Sequence, residues 1–282
     1  MEAPYSGVAM ASNAGSAGTG TGAAPPPPRR PDGDGSSEAN RSALFHFLRR
    51  RRHGINRAIA RSSRISNDPV LDTALCAWMP EIARHAGDIR AEALAIYRNI
   101  DAIPPLRDIS ADHRGIIEDD SWRSFFLIGY GHRVEENIAR APRTAELVSR
   151  IPGLNSAFFS ILAPGAHISR HRGVTKAFLT AHLGVVVPQD WQACTMQVED
   201  QDLHWREGEW LAFDDTYEHE VWNNTDQPRI VLLCQFARPL RFPGSLLAWA
   251  LMRYVRSSPF VQEAKDNLVD WETAFARAER AE

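Results

Sequence analysis

At 282 residues, 44% hydrophobic and 24% charged, the chain has room for one large domain with appendages and an ordinary globular balance. A net charge of -3 gives no nucleic-acid signal, and three scattered cysteines with no CxxC pair exclude a disulfide framework or a zinc knuckle and point to a reducing compartment. No apolar run approaches the roughly 20 residues of a membrane-spanning helix, and no basic-then-apolar leader opens the chain, so a cytoplasmic protein is predicted, soluble or peripheral to the inner face of the membrane.

Residues 1–40 are rich in Gly, Ala, Ser and Pro, carry almost nothing to bury, and predict a disordered tail. Residues 41–67, RSALFHFLRRRRHGINRAIARSSRISN, are basic and contain no acid. Phe45, Phe47, Leu48, Ile55 and Ile59 interleave there with Arg49, Arg50, Arg51, Arg52, Arg57 and Arg61. A basic amphipathic helix resting on an anionic membrane fits this pattern, and so does a solvated helix or basic arm.

Residues 68–121 predict a helical part leading into the core. Asp68 before Pro69 has the form of an N-cap followed by proline at the first helical position, with Leu71, Leu75 and Trp78 at helical spacing. Ile89, Ala93 and Ile96 repeat the spacing after a break at Gly87, Pro104-Pro105 ends the run, and a loop follows. An aromatic-rich strand is expected from Trp122 to Tyr130, then a helix opened by Ala141-Pro142 and stopped by Pro152-Gly153.

From Ser156 the pattern changes to short β-rich runs: AFFSILA, AFLTAHLGVVV, CTMQVE, EWLAFD, HEVWNN and RIVLLCQF, separated by turn residues. That alternation predicts a mainly β core, a sandwich or a cupin-like jelly roll, over residues 122–240 with flanking α-helices. Residues 241–282 return to helix, interrupted at Ser257–Pro259.

Within the β-rich part, His171 lies in FFSILAPGAHISRHRG and His219 in EWLAFDDTYEHEVWNN, and Arg229 follows a turn in NNTDQPRIVLLCQF. Two imidazoles on strands distant in sequence can hold a divalent metal, although imidazole alone does not choose among Fe, Zn, Cu and Ni. A guanidinium on the next strand suits the far carboxylate of a bound diacid, because its fork matches a carboxylate bidentately and keeps its charge when buried.

The stretch from about Trp122 to Pro239 resembles the aspartyl/asparaginyl β-hydroxylase family of iron(II)/2-oxoglutarate dioxygenases. The motifs that carry the resemblance are FSILAPGAHISRHRG, HLGVVVP, GEWLAFDDTYEHEVWNNTDQPRIVLL and ARPL. The resemblance implies the double-stranded β-helix, Fe(II), 2-oxoglutarate as cosubstrate and O2. It puts His171 and His219 on the metal ligands, Ser160 and Arg229 on the distal carboxylate of 2-oxoglutarate, and His182 on the carboxylate nearest the metal. The carboxylate of the usual oxygenase triad, two residues after the first histidine, is replaced by Gly173, as in that family. Asp215 is the candidate to orient a water in the place left open. Where the family carries an arginine two residues before His182, this chain has Thr180, and Lys176 is the nearby cation that could serve instead.

The substrates implied are a lipid acyl chain, of lipid A or ornithine lipid type, or a peptidyl or free aspartyl or asparaginyl group. The basic segment and LLAWALMRYVR favour the lipid; Arg172 or Lys176 would be needed to hold the carboxylate of an amino acid. A third reading is a non-catalytic cupin-like binding module, and the open place at Gly173 also permits halogenation.

Overall fold

In the computed structural model, residues 43–109, 115–117 and 119–279 are described; the tail expected over residues 1–40 lies outside them. A helix, α1 (Ala43–Arg61), precedes a short strand, β1 (Val70–Leu71), and helices α2 (Trp78–Ala83), α3 (Ala86–Tyr97) and α4 (Leu106–Ile109). Strands β2 (Trp122–Gly129) and β3 (His132–Arg133) lead to α5 (Glu135–Arg140) and α6 (Pro142–Val148). The core follows with β4 (Leu154–Leu162), β5 (His167–His171), β6 (Phe178–Val186), β7 (Cys194–Val198), β8 (Gln201–His204), β9 (Trp210–Phe213), β10 (His219–Asn223) and β11 (Arg229–Ala237). Helices α7 (Gly244–Arg256) and α8 (Pro259–Glu279) close the described chain.

The strands form two antiparallel sheets, one ordered β1-β9-β6-β11-β4-β2-β3 and the other β5-β10-β7-β8. This is the double-stranded β-helix that the family resemblance implies, one of the two-sheet architectures that the alternation of strands and turns allows. Side chains alternate between the faces of a strand, so the larger sheet has two characters. On its outer face Ala157, Phe159 and Ile161 of β4, Leu179, Ala181 and Leu183 of β6, and Ile230, Leu232 and Cys234 of β11 pack against Met79, Ile82, Ile89, Ala93 and Ile96 of α2 and α3. On its inner face Phe158, Phe213 and Val231 meet Ile168, Met196 and Val221 of the smaller sheet. The inner positions of β4, β6 and β11 also carry Ser156, Ser160, Thr180, His182, Arg229 and Gln235, where a plain sandwich would place apolar residues.

Two parts of the N-terminal half differ from expectation. Asp68 does not cap a helix: Val70 and Leu71 pair with Phe213 and Ala212 of β9, Asp72 caps a single 3-10 turn, and helix resumes at Trp78. A free sheet edge beside β9 captures this segment, and β-branched Val70 fits it. The expected loop after Pro105 begins with the one-turn helix α4, and α5 adds a helix where none was expected. The proline-opened helix appears as α6 with Pro142 in its first turn, and the C-terminal break falls at Ser257 and Ser258.

Helix α1 extends the basic segment into the fold, since Ile59 is fully buried and packs with Ile55 against Ala177 and Ala248. All three cysteines are free, as the sequence implies. Among the described residues, no helix is long and apolar enough to cross a membrane.

Candidate active site

A cavity of about 170 Å³ lies between the two sheets. Ser160, His171, Thr180, His182, Asp215, His219, Arg229 and Gln235 are among the residues that line it, with Trp122, Phe126, Phe158, Met196 and Phe213 as apolar walls. The polar groups converge because β4, β5, β6, β10 and β11 each turn one side of their alternation inward.

His171 and His219 stand directly opposite each other on antiparallel β5 and β10. Facing residues of such a pair project from the same side, and the two ring centroids are 4.1 Å apart. Each ring donates its Nδ1 hydrogen to a backbone carbonyl two residues earlier: His171 to Ser169 at 2.8 Å, His219 to Tyr217 at 3.0 Å. A carbonyl only accepts, so the lone pair of each ring resides on Nε2, the atom left for a ligand. Burial, followed by the neighbouring His219, lowers the pKa of His171 to about 4, and burial lowers that of His219, so both rings are neutral near pH 7.

Arg229 is 1% exposed, and among the described residues it forms no ion pair with a carboxylate. Its Nε and Nη1 have no hydrogen-bond partner, and its guanidinium lies 4.5 Å from the Trp205 ring. Burial lowers its pKa to about 10, which still leaves it charged at neutral pH. A buried cation with unused donors is costly unless an anion joins it. Ser160 faces the same space and accepts a hydrogen bond from Trp122 Nε1 at 2.9 Å, so its own hydroxyl hydrogen stays available. His182 is buried with both ring nitrogens unpartnered, and burial first, then Arg229, holds it neutral.

The two adjacent aspartates have separate roles in the geometry. Asp214, wholly buried, accepts from Lys176 Nζ at 2.5 Å, from Arg238, and from the backbone of Thr216 at 3.1 Å. It ties the loop before β10 to the rest of the chain. Asp215 turns into the cavity, where Thr180 Oγ1 donates to it at 3.2 Å and Gln235 Nε2 at 3.5 Å. Burial, and then the charge of Asp214, raises its pKa to about 7.

Asp215 also accounts for the glycine after the first histidine. A Cβ on Gly173 would stand 2.4 Å from Asp215 Oδ1, so no side chain fits there while Asp215 keeps its place. Among the described residues, no group of three His, Cys, Asp or Glu is arranged to hold a metal.

Lys176 does not join the cavity. Its ammonium is committed to Asp214 and lies over the Tyr217 ring, because β6 begins beyond it and the turn directs it to the loop. Arg172, the other cation considered for a substrate carboxylate, pairs with Glu218. His167 bonds Glu220 at 2.7 Å and His204 sits beside Thr195 and Trp191, so neither reaches the cavity. Gln235 and Trp205 were not singled out from the sequence. Gln235 sits at an inward position of β11, two residues beyond Leu233, so the period-2 count from Arg229 finds it.

The model of the aspartyl/asparaginyl beta-hydroxylase family matches residues 83–239. The chain is 42% identical over 213 residues, 76% of either protein, to the ornithine lipid ester-linked acyl 2-hydroxylase of Rhizobium tropici. It is 32% identical over 127 residues to the aspartyl/asparaginyl beta-hydroxylase of Homo sapiens, a match covering 43% of this chain and 16% of that protein. Among solved structures, a Pseudomonas putida prolyl-4-hydroxylase aligns with 54% of this chain and 87% of that one, at 19% identity and a TM-score of 0.36.

Proposed function

The chain belongs to the aspartyl/asparaginyl beta-hydroxylase family, and from that premise we propose that it is an Fe(II)- and 2-oxoglutarate-dependent hydroxylase of a lipid acyl chain. The observation that carries the cofactor reading is the buried, unpaired Arg229 in the same cavity as two neutral histidines with free Nε2 atoms. A dicarboxylate that chelates a metal at one end answers both features together.

His171 and His219 would hold the ion through Nε2, and Gly173 leaves the third protein position open. Arg229, with guanidinium donors unused, would hold the distal carboxylate, with Ser160 as a second donor. His182, uncharged, can accept or donate one hydrogen bond beside them. Asp215 is placed to orient a water, its carboxyl held by Thr180 and Gln235. When bound, iron with 2-oxoglutarate and O2 supplies the oxidising power to hydroxylate an unactivated C–H. The chain contributes orientation, and Phe126, Phe158, Met196 and Phe213 exclude water from the reacting centre.

Two observations support a lipid over a peptidyl substrate. Similarity to the lipid hydroxylase runs over 213 residues, against 127 for the human aspartyl/asparaginyl beta-hydroxylase, so it extends well outside the core. Arg172 and Lys176, which an amino-acid substrate would need, are engaged with Glu218 and Asp214.

The test is a mass-spectrometric comparison of lipid extracts incubated with purified protein, Fe(II), 2-oxoglutarate and O2. The expected result is a lipid acyl chain heavier by one oxygen, with succinate formed in equal amount. Succinate formation only with a peptide or free amino acid would transfer the reading to the rival substrate, and none with any substrate would leave a binding module.

A further inference from the structure

Helices α1 and α7 lie against each other at one side of the barrel. Ile55 and Ile59 of α1 pack with Ala248, Leu251 and Met252 of α7. Gly244 approaches α1 so closely that a Cβ there would stand 2.2 Å from that of Ser62. Arg241 Nη1 fastens the junction by donating to Ser63 O at 2.9 Å.

That packing leaves an apolar stripe facing solvent. Phe242 is 78% exposed, Leu246 54% and Trp249 62%, at spacings of four and three that align them along α7 and its entry. Of the five large hydrophobic side chains exposed among the described residues, four, with Leu247, lie here. The fifth, Val174, is joined to α1 through a hydrogen bond from Asn56 Nδ2 to its carbonyl at 3.2 Å, and it follows His171 by three residues. Val174 thus ties the loop that leaves the candidate metal ligand to α1, the helix against which α7 packs.

The two helices that form this face are basic where they meet it. Arg50, Arg57 and Arg61 of α1 and Arg253 of α7 are exposed, and neither residues 41–67 nor residues 238–262 contain an acid. In a chain of net charge -3 this is a strong local segregation. A second copy of the chain would bring arginines against arginines across a two-fold axis. An anionic bilayer offers phosphates to the arginines and a boundary for the apolar side chains.

We propose that the face formed by α1 and α7 docks the protein on an anionic phospholipid bilayer, with Phe242, Leu246 and Trp249 entering the headgroup boundary. This rests on the lipid reading of the active site. The cavity of about 170 Å³ falls below the roughly 300–1,000 Å³ that encloses a drug-sized ligand, so most of a lipid stays outside it. Docking presents the acyl chain to the mouth without removing the lipid from its membrane.

The experiment is co-sedimentation of the full chain with vesicles of phosphatidylcholine alone or mixed with phosphatidylglycerol, at low and high salt. Wild-type protein binds the mixed vesicles, and salt weakens the attachment without abolishing it. The triple variant Phe242→Ser, Leu246→Ser, Trp249→Ser partitions at least about tenfold more weakly, while its melting temperature and its affinity for 2-oxoglutarate with Fe(II) stay unchanged. Should that variant not fold, Arg50→Glu, Arg57→Glu, Arg61→Glu decides, and it is expected to lose the mixed vesicles. Wild-type protein that ignores the mixed vesicles, or variants that bind like wild type, overturn the proposal. So does a wild-type dimer that the serine variant makes monomeric while neither binds vesicles. Vesicle binding that the variants lose, without any oxygenated lipid, supports docking and removes the substrate reading. Oxygenation of detergent-dispersed lipid by a protein that does not bind vesicles does the reverse.

Discussion

The two faces of the seven-stranded sheet are made by the same strands and obey opposite rules. Outward, Phe159, Leu183 and Leu232 pack against helices with no polar atom to satisfy. Inward, an odd number of residues away along the same strands, Ser160, His182 and Arg229 are also buried, and they include ring and guanidinium nitrogens without partners. The outer face is complete as folded. The inner face carries unmet hydrogen bonding, which costs stability in the fold by itself and which, under the proposed function, a bound dicarboxylate would offset.

The largest break in this comparison comes from the inner face. His171→Ala or His219→Ala is expected to lower iron-dependent turnover by more than about 100-fold, the upper end for merely disturbing the groups that support a ligand. The unfolding midpoint of the metal-free protein should hardly move, and full iron stoichiometry in both variants would sink the metal assignment.

A paired substitution on β11 sharpens the contrast. Leu232→Ala, facing outward, should cost about 2–5 kcal/mol in urea denaturation and leave the affinity for 2-oxoglutarate nearly intact. Arg229→Met, facing inward three residues away, should do the opposite. The ligand-free protein should be at least as stable as wild type, because a buried charge without a counterion is gone. Its affinity for 2-oxoglutarate should drop at least about tenfold, the equivalent of roughly 1.4 kcal/mol. A titration unchanged from wild type would remove Arg229 as the anchor.

The smallest effect concerns protons. The carboxyl of Asp215 has its pKa raised to about 7 in the fold, well above its unfolded value. The folded protein therefore keeps this proton where the unfolded chain has released it. The associated stability is fully present below about pH 4 and is lost as pH rises to about 7. Asp215→Asn should accordingly gain on metal-free wild type in melting temperature from pH 4 to pH 8, and a constant gap across that range would contradict the burial of the charge.

How much of this was legible in the sequence depends on how local the cause is. Alternation of apolar residues marks β4, β6 and β11, and turn residues bound them, because side-chain direction follows from the backbone alone. The same local logic placed Pro142 at the start of α6. The histidines and Arg229 were found by their motifs, and the cavity does bring them together. Val70 and Leu71 escaped, since only the neighbouring edge of β9 makes them a strand.

The chain by itself thus determined the strand periods, the proline-marked start of α6 and the chemical types that could meet a metal and a diacid. Tertiary structure decided which of them do meet. Register across β5 and β10 set His171 opposite His219. The carboxylate of Asp215 took the space above Gly173, and Asp214 drew Lys176 away from the cavity. The packing of α1 on α7 set the basic segment beside an exposed apolar stripe. Each of these outcomes joins residues tens to hundreds of positions apart, and the free energy that selects them arises from burial and pairing that exist only once the chain has closed on itself.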